Sequence, residues 1–266
     1  MAAIVRNEDH FDYAIVGGGC FGASTALSLI REWPDARIIW FEGTHTHTAS
    51  QDESKIIRAA YEDEDYVAFV EKALEIWQTD PLYGEHYHQT GWIQVVGEGS
   101  HANTIKGPND RMISVEEMKQ MVGSQDKPKL EAGEELRFNE NIGYADFDLA
   151  VEAVAKEASM LGVRREKKDV TRLIADGGVC RGLEAGDYSI VVKKETIVAA
   201  GPWTPRLLER SKVEFPSDFF TVAAVGVATM PLQEKEFDEL KSMPILVTEG
   251  GAFNSLDLIL FRLIHD

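Results

Sequence analysis

The chain has 266 residues, 44% of them hydrophobic, with 45 acidic against 27 basic side chains and a formal net charge of −18. That length suits one large or two modest domains of about 150 residues each, and the apolar content supports a packed core rather than disorder. An acidic surface repels phosphate backbones and anionic headgroups, so nucleic-acid and membrane-surface partners are disfavoured.

Residues 12–29 read DYAIVGGGCFGASTALSL. Asp12–Gly17 is a short apolar strand, and Phe21–Arg31 has helical periodicity with Ala23, Ser24 and Ala26 on the side that would approach a sheet. Trp33-Pro34-Asp35 ends that helix, and Arg37–Phe41 is a second strand closed by Glu42. The order is a βαβ beginning, which usually builds a parallel sheet. Gly43–Gln51 is a polar loop. Lys55–Tyr61 and Asp65–Asp80 read as helices, the second with Val67, Phe69, Val70, Leu74 and Trp77 on or near one face, and Pro81 as a stop signal. Gly91–Val96 is strand-like. Residues 98–145 are mixed and polar, with one helix near Val115–Met121. Asp146–Leu161 is an amphipathic helix ended by Gly162.

Short strands follow at Val163–Asp169, Val170–Ala175, Val179–Ala185 and Tyr188–Lys193, separated by glycine turns, with Thr196–Ala200 as one more. Gly201-Pro202 leads into a short helix, Trp203–Arg210. Phe219–Met230 reads as a long strand, Glu234–Ser242 as a helix with a solvated charged face, and Ile245–Val247 as a strand. The α/β pattern at both ends of a different middle section implies two interleaved domains.

Gly17-x-Gly19-x-x-Gly22 between strand and helix is a dinucleotide fingerprint. The first glycine permits the tight turn, the second a close backbone approach to a pyrophosphate, and the third close helix–strand packing. Helix N-terminal N–H groups would hold the phosphates. Glu42 stands about 20 residues on, where an acid binds ribose hydroxyls, and it makes NADP the least favoured choice. The fingerprint leaves NAD and FAD both open. Cys20, inside the turn, reads as a small packing residue rather than a redox centre. In the stretch 52–61, DESKIIRAAY, Lys55 and Arg58 stand at i and i+3, a shared face if helical, and offer an anionic cofactor local positive charge in an acidic chain. His45, His47, His86 and His88 lack the spacing of a metal site. No Gly-x-Ser-x-Gly elbow supports hydrolase chemistry.

DYAIVGGGCFGASTALSL, SKIIRAAY, KALEIWQTDPLYGEHYHQTGWIQVV and TIVAAGPWTPRLL together resemble the FAD-dependent amine oxidases of the monomeric sarcosine oxidase group, fungal fructosyl amino acid oxidases (amadoriases) and L-pipecolate/saccharopine oxidase-like proteins, the fungal branch most. The resemblance implies a mixed α/β fold. A Rossmann-like FAD-binding domain of the glutathione reductase/D-amino acid oxidase type (1–87 and 146–212) would be interleaved with an antiparallel-sheet substrate domain (88–145 and 213–252), ahead of a divergent tail (253–266). It implies that Gly17, Gly19, Cys20, Phe21 and Gly22 contact the FAD pyrophosphate and that Glu42 holds the adenosine ribose. The backbone at Val170 would meet adenine, Ser54 and Lys55 would lie against the flavin, and Ala200, Gly201 and Trp203 would pass close to the cofactor. Arg58 would receive the substrate carboxylate.

The implied reaction is hydride transfer from a secondary amine of an amino acid to flavin, with molecular oxygen as acceptor and imine and hydrogen peroxide as products. The protein would be a monomer with a small-molecule amine substrate and neither nucleic acid nor membrane as partner. Members of the family continue beyond this point, with an FAD-attachment cysteine, a lysine near the ring and a closing βα segment. The expectation is therefore a truncated chain with weak FAD affinity and little activity. Leu256, Ile259, Leu260 and Leu263 fall near one helical face and could cover exposed core. A non-enzymatic nucleotide-binding remnant and an NAD-dependent dehydrogenase are the alternatives. Two cysteines, no transmembrane run and no visible targeting signal imply an intracellular protein, cytoplasmic or peroxisomal.

Overall fold

The computed structural model describes residues 10–44, 48–51, 55–58, 61, 63–97, 107, 109–122, 133–223, 231–249 and 256–259. The chain opens with β1 (His10–Val16), α1 (Cys20–Glu32) and β2 (Ile38–Glu42). A middle stretch carries β3 (Lys55–Ile57), α2 (Glu64–Thr79), the single turn α3 (Pro81–Gly84), β4 (Tyr87–His88), β5 (Trp92–Val96), β6 (Arg111–Ile113), α4 (Val115–Val122), β7 (Glu135–Asn139) and β8 (Gly143–Ala145). Then come α5 (Phe147–Met160), β9 (Arg164–Lys167), β10 (Arg172–Asp176), β11 (Val179–Ala185), β12 (Tyr188–Val198) and α6 (Thr204–Arg210). The last described elements are α7 (Glu234–Leu240), β13 (Ile245–Glu249) and β14 (Leu256–Ile259).

The described residues fall into two compact units, one within Met1–Asp52 and Phe147–Val225, the other within Glu53–Asp146 and Gly226–Asp266. The first unit holds a six-stranded sheet in the order β10-β11-β12-β1-β2-β9. Strands β12, β1, β2 and β9 are parallel, and β10 and β11 are antiparallel additions at one edge. On one face Ala14, Val16, Ile39 and Phe41 join Leu173, Leu183, Ile190, Val192 and Leu207 of α6 in a closed core. Helices α1 and α5 pack together, and α1 lies against β1 and β2. Small buried residues, Ala23 and Ala26 on α1 and Ala150, Ala155 and Ala158 on α5, allow this close approach. Ser24, expected on the buried side, is exposed, because it lies one step (about 100°) around the helix from Ala23.

The second unit holds a five-stranded sheet, β14-β13-β5-β7-β6, and a three-stranded one, β3-β8-β4. Helix α4 covers one face of the larger sheet, with Met118 buried against Ile93, Ile113, Leu136 and Phe138. Leu74 of α2 packs with Trp92, Ile142, Ile245 and Val247, joined by the half-buried Ile56 and Ile57.

Several expectations need correcting. Lys55–Ile57 is a strand, antiparallel to Gly143–Ala145, because two adjacent β-branched isoleucines find a sheet partner that the local sequence does not reveal. Phe69 is 71% exposed, since it lies about 140° around α2 from the buried Leu74. Tyr188–Val198 is one strand rather than two: the charged Lys193-Lys194-Glu195 is exposed, yet its backbone runs on, with Glu195 opposite Tyr13 of β1. Residues 219–223 are not strand; Phe219 N–H donates to Pro216 O at 3.1 Å in a turn, and 224–230 lie outside the described residues. Residues 256–259 form a strand against β13 rather than a helix, while Leu260 and Leu263 lie outside the described residues. The polar middle section also contains β6, β7 and β8, which its weak alternation concealed.

Candidate functional site

In the first unit the glycine turn joins the carboxyl end of β1 to the amino end of α1. Gly17 has φ +125°, and a Cβ there would strike Ala199 O, so only glycine fits. Its N–H donates to Phe41 O at 2.9 Å, and its carbonyl accepts from Trp40 Nε1 at 2.7 Å. A Cβ on Gly22 would collide with that same carbonyl and approach the Trp40 indole. The third glycine therefore lets α1 seat on the turn itself. Gly18, which the fingerprint leaves unspecified, lies against the Glu42 side chain, and Gly19 against the Ser50 hydroxyl. The result is a glycine-built backbone turn, a ledge at a helix N-terminus bordered by Glu42 and Ser50, the kind of feature a pyrophosphate approaches.

Gly19 is the N-cap of α1, with no side-chain cap and no acid in the first turn. The Cys20 N–H finds the Ser50 Oγ at 3.0 Å. Ser50 was not singled out by sequence reading, since its partner is 30 residues away and no spacing rule connects them. Cys20 is a free, half-buried thiol, and Phe21 stands 78% exposed at the same helix end.

Glu42 ends β2 beside β9, opposite Lys167. Its Oε2 accepts from Arg165, at 2.9 Å from Nε and 2.8 Å from Nη2. Arg165 in turn binds Glu152 of α5 with two parallel bonds of 2.8 and 2.7 Å, and its guanidinium lies 5.1 Å from the centre of the Trp40 ring. The Arg165 hydrogen bonds hold the Glu152 carboxyl below its ordinary range, and the bond to Glu152 first, with Glu42 adding, raises the guanidinium further above its own. The next loops are tied together as well: Thr44 N and Oγ1 donate to Asp169 Oδ1 and Oδ2 at 2.7 and 2.8 Å. Val170, the next residue, is half-buried against the core of this unit.

Beyond β12, Ala199 N–H donates to Val16 O at 2.7 Å, which carries the strand pairing up to the glycine turn. Ala200 leads into a 3-10 turn, Gly201–Trp203, with Gly201 at φ +52° and Trp203 N–H donating to Ala200 O at 3.1 Å. Gly17, Gly19, Cys20, Phe21, Gly22, Glu42, Val170, Ala200, Gly201 and Trp203 thus all lie at or just beyond the carboxyl ends of four parallel strands. In open α/β sheets this is the edge where ligands bind.

The remaining expected site residues belong to the second unit. Ser54 lies outside the described residues. Lys55 is the first residue of β3, opposite Ala145, and Arg58 lies just past the strand with its guanidinium 4.4 Å from the centre of the Tyr61 ring. The shared helical face expected for these cations does not exist, because successive strand residues point to opposite sides and positions three apart therefore do not share a face. His88 Nε2 is 3.0 Å from Asp146 Oδ2, and its ring stacks on Tyr144, while His45 and His47 lie outside the described residues.

A family model described as FAD dependent oxidoreductase matches residues 12–254. The chain is 24% identical over 274 residues to L-saccharopine oxidase of Schizosaccharomyces pombe, covering 90% of this chain and 60% of that protein. It is 25% identical over 227 residues to peroxisomal sarcosine oxidase of Homo sapiens, covering 80% of this chain and 56% of that protein. Fructosamine oxidase from Aspergillus fumigatus (Amadoriase II) shares the fold with a TM-score of 0.70 at 20% identity, over 90% of this chain and 58% of that one. The chain therefore spans about three-fifths of the length of the proteins it matches. Among the described residues no helix is long and apolar enough to cross a membrane.

Proposed function

We propose, because this chain belongs to the FAD dependent oxidoreductase family, that it binds FAD at the strand ends of its first unit and oxidises the C–N bond of a secondary-amine amino acid. Family membership selects FAD where the glycine fingerprint alone left NAD open. The observation that carries the reading is the convergence of the glycine turn, Glu42, Val170 and Ala200-Gly201 on one edge of a parallel sheet. The glycine turn at Gly17, Gly18, Gly19 and Gly22 suits the group, since none of these four residues places a side chain of its own over the helix N-terminus, and Ser50 and Glu42 border it.

In this reading the turn and the start of α1 at Cys20 and Phe21 hold the pyrophosphate. Glu42 accepts from ribose hydroxyls, the main chain at Val170 borders adenine, and Ala200, Gly201 and Trp203 flank the cofactor. Bound FAD supplies the hydride acceptor, with molecular oxygen as the final oxidant and an imine and hydrogen peroxide as products. The chain's own contribution is placement and charge. By resemblance to the family, Ser54 and Lys55 are assigned to the flavin, where the Lys55 cation would counter anionic charge. By the same resemblance, Arg58 would receive the substrate carboxylate, a pairing its guanidinium fork suits and one that would orient the amine. The substrate class is that of sarcosine, fructosyl amino acids or pipecolate, and a monomer in cytoplasm or peroxisome is compatible with it. The human relative's name carries the second compartment.

The test is the absorbance spectrum of purified protein equilibrated with FAD, recorded before and after acid precipitation, followed by peroxide production with sarcosine, pipecolate and a fructosyl amino acid. Flavin colour with peroxide from one of these amines is the expected result. A colourless protein contradicts the cofactor assignment. A flavin-loaded protein inert with all three leaves a nucleotide-binding remnant.

A further inference from the structure

We infer that Arg165 is the positioning residue of the ribose subsite, acting through Glu42; the inference rests on the FAD reading above. Both Arg165 contacts to Glu42, from Nε at 2.9 Å and Nη2 at 2.8 Å, fall on the same oxygen, Oε2. The other oxygen, Oε1, has no such partner among the described residues, so it is the one presented for a vicinal diol. A lone glutamate at a strand end would rotate about three side-chain torsions. This one is pinned on one side by the guanidinium and on the other by the Gly18 backbone, which lies against its Cγ.

Arg165 is itself fixed from two directions. Glu152 on α5 takes its outer edge with bonds of 2.8 and 2.7 Å, and the Trp40 ring lies beneath its plane at 5.1 Å. Trp40 is fully buried and holds Gly17 O through its indole N–H at 2.7 Å. Arg165, Trp40 and Glu42 share one sheet face, because Trp40 and Arg165 pair in parallel register and Glu42 follows Trp40 by two. One rigid assembly therefore sets both the carboxylate for the ribose and the carbonyl side of the phosphate turn. The cation also offsets the repulsion that Glu42 would exert on a diphosphate, in a chain of net charge −18.

The experiment is a double-mutant cycle on FAD affinity, read by flavin fluorescence during titration of the FAD-free full chain. Arg165→Met and Glu42→Ala are each expected to weaken FAD by about 10- to 100-fold, the range for a hydrogen bond to a charged group. In the Glu42→Ala background, Arg165→Met is expected to add less than about two-fold, because the residue it positions is gone. Arg165→Lys, which keeps the charge but not the fork, is expected to recover part of the loss. Full additivity of the two substitutions, or wild-type affinity in Arg165→Met, overturns the inference while leaving the FAD reading intact. A wild-type chain that takes up no FAD overturns both. Thermal midpoints of the FAD-free proteins separate a fold defect from a binding defect; if Arg165→Met does not fold, the cycle is read with Arg165→Lys.

Discussion

The two units relate to their sequence in opposite ways. In the first, each described residue expected near the dinucleotide stands on one edge of four parallel strands. In the second, the expected pair Lys55 and Arg58 sits on and just past a strand rather than on one face of a helix. The glycine turn is encoded mainly by contacts within about 25 residues, Gly17 to Phe41, Trp40 and Gly22, with Ala199 and Ser50 completing it from further along the chain. Strand β3 is encoded by Gly143–Ala145, nearly 90 residues further on. A motif whose partners are close in sequence carries its own geometry, whereas a short strand borrows its geometry from a distant partner.

The largest break in this comparison comes from Gly17→Val. The side chain would meet Ala199 O at a backbone φ of +125°, so stability falls by about 3 kcal/mol or more and FAD uptake is lost. Denaturant titration and the visible spectrum check both. Trp40→Phe is next. It strips the partly buried Gly17 carbonyl of its indole partner, at a cost of about 1–3 kcal/mol, and loosens the turn without touching the ledge. Unfolding with unchanged midpoint would show that the Trp40 bond contributes nothing.

A pair of cap deletions then separates the units. Ser50→Ala removes the acceptor for Cys20 N–H, and Asp63→Ala removes the side-chain cap of α2, which accepts from Asp65 and Tyr66 N–H. Each costs about 1 kcal/mol. Only Ser50→Ala is expected to alter FAD uptake, and a matching change in Asp63→Ala would erase the distinction between the units.

The smallest effect is a pH dependence. Glu152 is held by Arg165 below the ordinary 4.5, so its contribution is complete above that value and is lost as pH falls through the lowered one. FAD retention should therefore be flat in this respect from about pH 7 to pH 5 and decline only in stronger acid. In Glu152→Gln that acid decline should shrink. A decline of equal size in the variant would assign it to other carboxylates.

Much of the first unit was legible because its signals are steric. A positive φ at Gly17 and the contact of Gly22 with a carbonyl admit one residue type, and the acid at the end of β2 follows from ribose geometry. What escaped there depends on pairings without a period: Ser50 with Cys20, Arg165 with Glu42, and the unbroken strand β12 running through Lys193-Lys194-Glu195. In the second unit, α2 and α4 were readable from their apolar spacing, with Phe69 misplaced because a single exposed aromatic mimics a face. Strands β6, β7 and β8 are not readable from local pattern, since each has only three to five residues and pairs with strands far along the chain.

The strand-end turn of the first unit is proposed as an FAD site. The most direct measurement is the flavin absorbance retained after FAD-equilibrated protein passes through gel filtration, compared between wild type and Gly19→Val, whose side chain would stand in the ledge beside Ser50. Stoichiometric flavin in the wild type and none in the variant, with both proteins folded, is the predicted result. No flavin in either, or equal flavin in both, would contradict it.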